Sequence, residues 1–324
     1  MDIYVKKAII HQFSPDDTDL YLADKLLNIT PKIEEYLRKK IERVYSDDAR
    51  TGIFEEDNPF LEMISDDLLE TSVAVANRWK EEFVVSENQK TNDLVFIQFS
   101  KEGVDHFAFL RIALRETLTH LGGEVDNPIK LTQNNLPGFG TGADEALVIN
   151  LQSRKYHLIE KRIKYNGTFL NYFSENLLQA QPKISPKKSI KALEKTAQKI
   201  AESFNTDDFQ FQSKVKSAIF NHIEEENKLS PEKLADDLFN DNLTARLSFI
   251  DQVKEAVPEP VTFEEIDASR QLKKFENQKL SLSNGIELIV PNNVYEDAES
   301  VEFILNENGT YSILIKNIED IQSK

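Results

Sequence analysis

Asp93-Leu94-Val95-Phe96-Ile97-Gln98-Phe99-Ser100, followed after a short break by Val104 to Arg115, decides the fold class. Both segments are dense in β-branched and aromatic residues, the composition of strands in one sheet. Ala146 to Ile163 has the same character and adds to that sheet. Upstream, Ile3 to Phe13 reads as a strand, with Ile3 and Val5 on one phase, Ala8 and Ile10 on a slipped one, and Ser14-Pro15-Asp16-Asp17 as its stop. Leu20 to Leu27 reads as a second, shorter strand. Thr30-Pro31 is a helix start, a hydroxyl cap followed by proline at the first helical position. Ile33, Leu37, Ile41 and Val44 recur behind it at helical spacing. Asp57-Asn58-Pro59 opens another helical stretch, and Thr71 to Phe83 carries a third.

Between the sheet segments, Gly122 to Gly142 reads as a long Gly/Pro-rich loop. From Pro182 to Glu255 the 3.6-residue period dominates. Val257-Pro258-Glu259-Pro260 reads as a linker, and the tail returns to strands, with Asn308-Gly309 turning between Val301–Leu305 and Tyr311–Ile315. The expectation is an α+β protein. Residues 1–178 form a domain of mixed helix and mainly antiparallel sheet, 179–258 a helical middle domain, and 259–324 a small β-rich C-terminal subdomain.

The 324 residues are 40% hydrophobic and 29% charged, enough apolar content for real cores and against wholesale disorder. No cysteine is present, which removes disulfides, thiolate metal sites, Fe–S clusters and cysteine nucleophiles. The start Met1-Asp2-Ile3-Tyr4 lacks the order of a secretory signal, and no run approaches the ~18 uncharged apolar residues of a membrane span. A cytoplasmic protein without membrane contact is expected.

The net charge of −17 argues against general nucleic-acid binding, since the whole-molecule field repels phosphate. Its distribution argues otherwise. Residues 154–199 hold Arg154, Lys155, Lys161, Arg162, Lys164, Lys183, Lys187, Lys188, Lys191, Lys195 and Lys199 against Glu160, Glu175 and Glu194, a net of +8 that leaves −25 elsewhere.

The helix from Ser185-Pro186 is the sharpest feature in that block. Ile190, Leu193, Ala197, Ile200 and Phe204 fall in one sector at about 100° per residue. Lys188, Lys191, Lys195 and Lys199 cluster within about 80° on the opposite side and span about 16 Å. Solvated helix faces usually mix signs to gain i,i+4 pairs. Like charges stacked here point to an anionic partner. Arg154 to Lys164 adds a basic strand with Tyr156, Tyr165, Phe169, Tyr172 and Phe173 among or after it. Cations beside rings suit stacked bases; the plainer account is core aromatics beside edge-strand lysines.

Other constellations are weaker. The five histidines lack metal-ligand spacing, and no Gly-x-Ser-x-Gly elbow is present. Gly138-Phe139-Gly140-Thr141-Gly142 precedes a strand instead of opening a helix, so it reads as a connection rather than a phosphate loop. Asp66-Asp67, Glu81-Glu82 and Glu224-Glu225-Glu226 lie on helices or turns, away from the convergent geometry of two-metal chemistry. No catalytic residue, metal or cofactor is expected.

The order of segments resembles the 37-kilodalton nucleoid-associated bacterial protein family. The likeness is carried by Ile9-Ile10-His11-Gln12, Ile41-Glu42-Arg43-Val44-Tyr45-Ser46, Gly52-Ile53-Phe54, the pair Val95–Phe99 and Phe107–Leu114, Val148-Ile149-Asn150-Leu151 before the basic block, and Thr310-Tyr311-Ser312-Ile313-Leu314-Ile315. The resemblance implies association with the bacterial nucleoid, DNA binding in chromosome organisation, and contact with topoisomerases. The reading is a nonenzymatic DNA-binding protein of weak sequence specificity. It would touch duplex or single-stranded phosphates through Arg154, Lys155, Lys161, Arg162, Lys164, Lys187, Lys188, Lys191, Lys195 and Lys199, and a homodimer would double those contacts. Two alternatives stand beside it: an acidic module that engages a DNA enzyme without touching DNA, and a metal-dependent nuclease.

Overall fold

Successive side chains leave a strand on opposite faces, so an unbroken apolar run such as Leu94–Phe99 needs a cover on each. The computed structural model describes residues 2–15, 19–83, 91–120, 129–165, 167–206, 208–263 and 265–322, and it supplies both covers. The chain forms two compact units, Met1–Ser185 and Pro186–Lys324.

The first unit contains strands β1 (Ile3–Ser14), β2 (Asp19–Tyr21), β3 (Arg50–Ile53), β4 (Asn92–Lys101), β5 (Val104–Ala113), β6 (Arg115–His120), β7 (Ile129–Asn135), β8 (Glu145–Asn150) and β9 (Lys155–Ile159). Seven of them build an antiparallel sheet in the order β2-β1-β4-β5-β8-β9-β3. One face carries Leu94, Phe96, Phe107, Phe109, Leu147 and Leu158 against Val75, Ala76, Trp79 and Phe83 of a helix, Leu68–Phe83. The other carries Val95, Ile97, Phe99, Ala108, Leu110 and Val148 against Leu37 and Ile41 of a helix, Pro31–Glu42. These helices are α3 and α1; a single turn, α2 (Pro59–Glu62), lies between them in the chain. The starts follow local chemistry: the Thr30 hydroxyl accepts from Ile33 N, and the Asn58 carbonyl oxygen accepts from Phe60 N.

A register shift between Val5 and Lys7 explains the slipped phase of β1. The extra residue places Ile3 and Val5 on the same face as Ala8, and sends Ile9 and Phe13 to the other. The expected strand over Leu20–Leu27 is only three residues long. The expected loop over Gly122–Gly142 is also corrected. Its described part contains β7, paired with β6 in a separate hairpin, while residues 121–128 lie outside the described set.

After β9 the first unit adds a short hairpin, β10 (Ile163–Tyr165) with β11 (Thr168–Leu170), and a π-turn at Phe173–Leu177. Arg50 closes this region. It pairs with Glu160, whose carboxylate also accepts from Ser174 N and Oγ, and it donates to the carbonyl of Pro182 at 2.9 Å. Beside Arg50, Gly52 has no room for a side chain, because a Cβ there would overlap the buried Tyr156 ring and hydroxyl. Gly52→Ala should lower stability by about 1–3 kcal/mol. A thermal unfolding series checks this: the loss should shrink in a Tyr156→Ala background.

The second unit begins with helices α4 (Pro186–Ser203), α5 (Phe209–Glu226), α6 (Pro231–Leu238) and α7 (Leu243–Lys254). Two-residue strands β12 (Lys228–Leu229) and β13 (Val261–Thr262) pair with each other. Next come α8 (Ser269–Phe275), the hairpin β14 (Asn277–Ser281) with β15 (Glu287–Pro291), the turn α9 (Asn292–Tyr295), and the hairpin β16 (Val301–Leu305) with β17 (Tyr311–Ile315). The position 258/259 lies inside this unit, because Val257, Val261, Phe263 and Phe275 share one core with Ile190, Leu193, Ile219 and Phe249. A buried polar clasp attaches the first hairpin. Gln278 Nε2 donates to Ser213 O, Ser217 Oγ and Asn292 Oδ1 at 3.1, 3.2 and 2.8 Å.

Candidate nucleic-acid interface

Helix α4 takes its form from a two-sided sequence. Ile190, Leu193, Ala197 and Ile200 are buried in the core of the second unit, and Phe204 packs against it. Lys188, Lys191, Lys195 and Lys199 are exposed. Lys199 Nζ donates to the neutral Gln252 Oε1 at 3.1 Å. Lys188, Lys191 and Lys195 have no carboxylate partner among the described residues, although Glu194 belongs to the same helix. Glu194 instead turns to Lys274, at 3.1 Å. Lys187, at the start of the helix, is also exposed. The stripe and ridge are thus separated on one helix.

The other half of the basic block belongs to the first unit. Asn150 builds the turn into it, its side-chain oxygen accepting from Gln152 N and Ser153 N at 3.0 and 2.9 Å. Arg154 then adopts a left-handed backbone (φ 59°) and reaches Glu56 at 3.6 Å. Lys155 is exposed at the start of β9. Lys161 pairs with Asp144 at 2.6 Å, while Arg162 and Lys164 are exposed. The aromatics divide. Tyr156, Tyr172 and Phe173 are core, whereas Phe169 is 60% exposed and pairs across β10–β11 with Lys164. The Tyr165 side chain lies outside the described set. Lys164 and Phe169 therefore present a cation and a ring side by side.

Several of the acids that invited a nuclease reading have local duties. Asp67 Oδ1 accepts from Leu69 N at the start of α3, and both Glu81 and Glu82 pair with Arg78. Glu226 pairs with Lys233 and His222 with Asp237, along a groove of about 730 Å³ that also meets Lys214, Glu225 and Asp236. Among the described residues no group of three His, Cys, Asp or Glu has metal-holding geometry.

Sequence reasoning missed two features. Lys40 of α1 is fully buried, and its ammonium donates to the carbonyls of Pro137, Gly138 and Thr141 at 3.3, 2.9 and 2.5 Å. Tyr36 donates to Pro137 O at 3.0 Å and packs edge-on against Phe139. The glycine-rich connection is thus anchored to the helix. Burial, then the nearby Arg43 and Arg115, push the Lys40 pKa down to about 8. The second feature is an ion pair inside the sheet. Arg111 Nε donates to Glu145 Oε2 at 2.5 Å, from a register pair of β5 and β8. Tyr172 donates to the same carboxylate oxygen, and Trp79 Nε1 donates to the Tyr172 oxygen at 3.1 Å.

Residues 9–321 match the profile of a protein family described as nucleoid-associated protein YejK. No curated protein matches the chain.

Proposed function

Because the chain belongs to the nucleoid-associated protein YejK family, we propose that it is a non-catalytic DNA-binding protein of the bacterial nucleoid. It contacts phosphates through Arg154, Lys155, Lys161, Arg162 and Lys164 in one unit and Lys187, Lys188, Lys191, Lys195 and Lys199 in the other. The observation that carries the proposal is the α4 ridge. Three exposed lysines there go without carboxylate partners among the described residues, on a chain of net charge −17. Phosphate contacts position a protein without reading bases, so sequence specificity is weak. The exposed Lys164–Phe169 pair adds a stacking surface suited to single strands. The family resemblance extends the proposal to an adaptor that meets topoisomerases on chromosomal DNA, and a homodimer would double the phosphate contacts.

A salt-titrated binding assay tests this. About six neutralised phosphates give a log–log salt slope near −5 on duplex DNA. Changing Lys188, Lys191, Lys195 and Lys199 together to Gln should make that slope less negative by about 3 to 4 and leave thermal unfolding unchanged. A flat salt response in the wild type, or wild-type affinity in the variant, overturns the proposal. The net charge of −25 outside residues 154–199 favours a second reading, in which acidic surface engages a basic DNA enzyme without touching DNA. Partners recovered equally with and without nuclease treatment would support it.

A further inference from the structure

The C-terminal hairpin presents an open edge. Strands β16 and β17 form a two-stranded sheet of their own. Asn306 N donates to Thr310 O at 2.8 Å, and Lys316 N donates to Ser300 O at 2.9 Å. Bonded and non-bonded pairs alternate along an antiparallel ladder. Leu305–Tyr311, Phe303–Ile313 and Val301–Ile315 are therefore the non-bonded pairs, and the N–H and C=O groups of Tyr311, Ile313 and Ile315 point away from β16. Among the described residues no strand pairs with them.

Proteins usually blunt such an edge with proline or charge. The hairpin β14–β15 does so. By the same alternation, counted from the bond of Leu282 N to Ile286 O, its outward positions include Lys279, Glu287 and Pro291. The outward positions of β17 are instead Tyr311, Ile313 and Ile315, all strand formers. The hairpin is anchored: Phe303 packs on Phe209 and Tyr295, with ring centroids 5.2 and 5.3 Å apart, and Phe209 also meets Tyr311. Beyond that anchor, Leu305, Tyr311 and Ile315 on one face are 63%, 52% and 47% exposed, and Leu314 on the other is 47% exposed. Both faces can pack against an added strand.

The surroundings choose its charge. Residues 296–320 hold seven carboxylates against the single cation Lys316, which Glu302 already engages at 2.6 Å. A second copy docking edge to edge would set like charge against like, and the chain's own lysine ridge lies on a helix, which cannot add to a sheet edge. A phosphate backbone would meet the same repulsion. An extended segment bearing lysine or arginine supplies both what the backbone edge lacks and what the carboxylates attract. We propose that β17 is a docking edge for an extended basic segment of a protein partner, which adds as a third strand beside Tyr311, Ile313 and Ile315. The proposal gives the protein-docking reading above a location and rests on that reading; it uses none of the phosphate contacts.

A fluorescent, end-capped octapeptide of alternating lysine and valine tests the edge on the full-length protein at low salt. Anisotropy should show binding that weakens with salt, and the same peptide with glutamate in place of lysine should not bind. The basic peptide should also slow amide exchange across residues 311–315. The I313P variant removes one outward N–H while sparing the bonds to β16, and should bind the peptide about tenfold more weakly. The E299Q/E302Q/E307Q variant should weaken binding and flatten its salt dependence. No binding of the basic peptide by the wild type overturns the edge, as does binding that leaves 311–315 unprotected or a folded I313P variant with full affinity. If I313P fails to fold, protection in the wild type and the charge variant still decide. A wild-type dimer that I313P dissociates gives the edge to a second copy and refutes the proposal. In the nuclease-treated recovery described above, partners held equally by wild type and I313P overturn the edge while the protein-docking reading stands; recovery of none removes that reading itself.

Discussion

Replacing Arg111 with methionine should lower the stability of the first unit by about 3–5 kcal/mol, the usual loss when one partner of a buried ion pair is removed. Glu145 is fully buried and Arg111 is nearly so. Without the guanidinium, the carboxylate would keep the Tyr172 hydroxyl and lose the opposite charge that pairs with it. Its Oε1 already has no hydrogen-bond partner. Asn92 Oδ1 would also lose the donor it has at 2.9 Å, and Phe83 the cation over its ring. Burial opposes the charge on Arg111, but Glu145 overrides it and holds the guanidinium pKa above its ordinary value. The Tyr172 hydroxyl is pushed far up by burial and then by Glu145, so it acts as a donor. Urea unfolding measures the loss. The double variant R111M/E145L should recover most of it, since paired apolar replacements remove the stranded charge. Equal losses in the single and double variants would mean that packing, and not charge, sets the effect.

Lys40→Met should release the glycine-rich connection from α1. Three carbonyls lose a charged donor, and that of the buried Pro137 keeps only the Tyr36 hydroxyl, at a cost of about 1–3 kcal/mol before water reaches it. The expected signature is local. Amide exchange and proteolytic cleavage at Pro137–Gly142 should rise well before the sheet unfolds. The pH dependence has a definite sign. A lysine at about 8 when folded and near its ordinary value of 10.5 when unfolded holds fewer protons in the native state between those values. Stability from this group therefore rises with pH through that window, by up to about 1.4 kcal/mol per unit. Subtracting the Lys40→Met curve from the wild-type curve isolates this rise, and a flat difference between pH 8 and 10.5 would refute it.

What was legible in the chain was local. The Asp93–Ser100 run announced a strand of the sheet, though not that both its faces are covered, and the 3.6 period of α4 displayed its stripe and its lysines together. The slip in β1 was also visible, though its cause, one extra residue, needed the partner strand. Counting Gly and Pro across 122–142 hid Ile129 and Leu131, which are enough for a strand once β6 pairs with them. Charge pairing was illegible for the same reason. Arg111 and Glu145 are 34 residues apart and Lys161 and Asp144 17, so only the sheet brings them together. Arg111 still left a trace, as a lone charge inside the run Phe107–Leu114.

Trp79 is the chain's one tryptophan, and it is sealed in the first unit against Tyr172. Its ultraviolet emission therefore reports on residues 1–185 alone, while four of the longer helices contributing to the far-ultraviolet dichroism lie beyond that point. Comparing the two optical signals during heating asks whether the halves melt together or in sequence, with no label added to the protein.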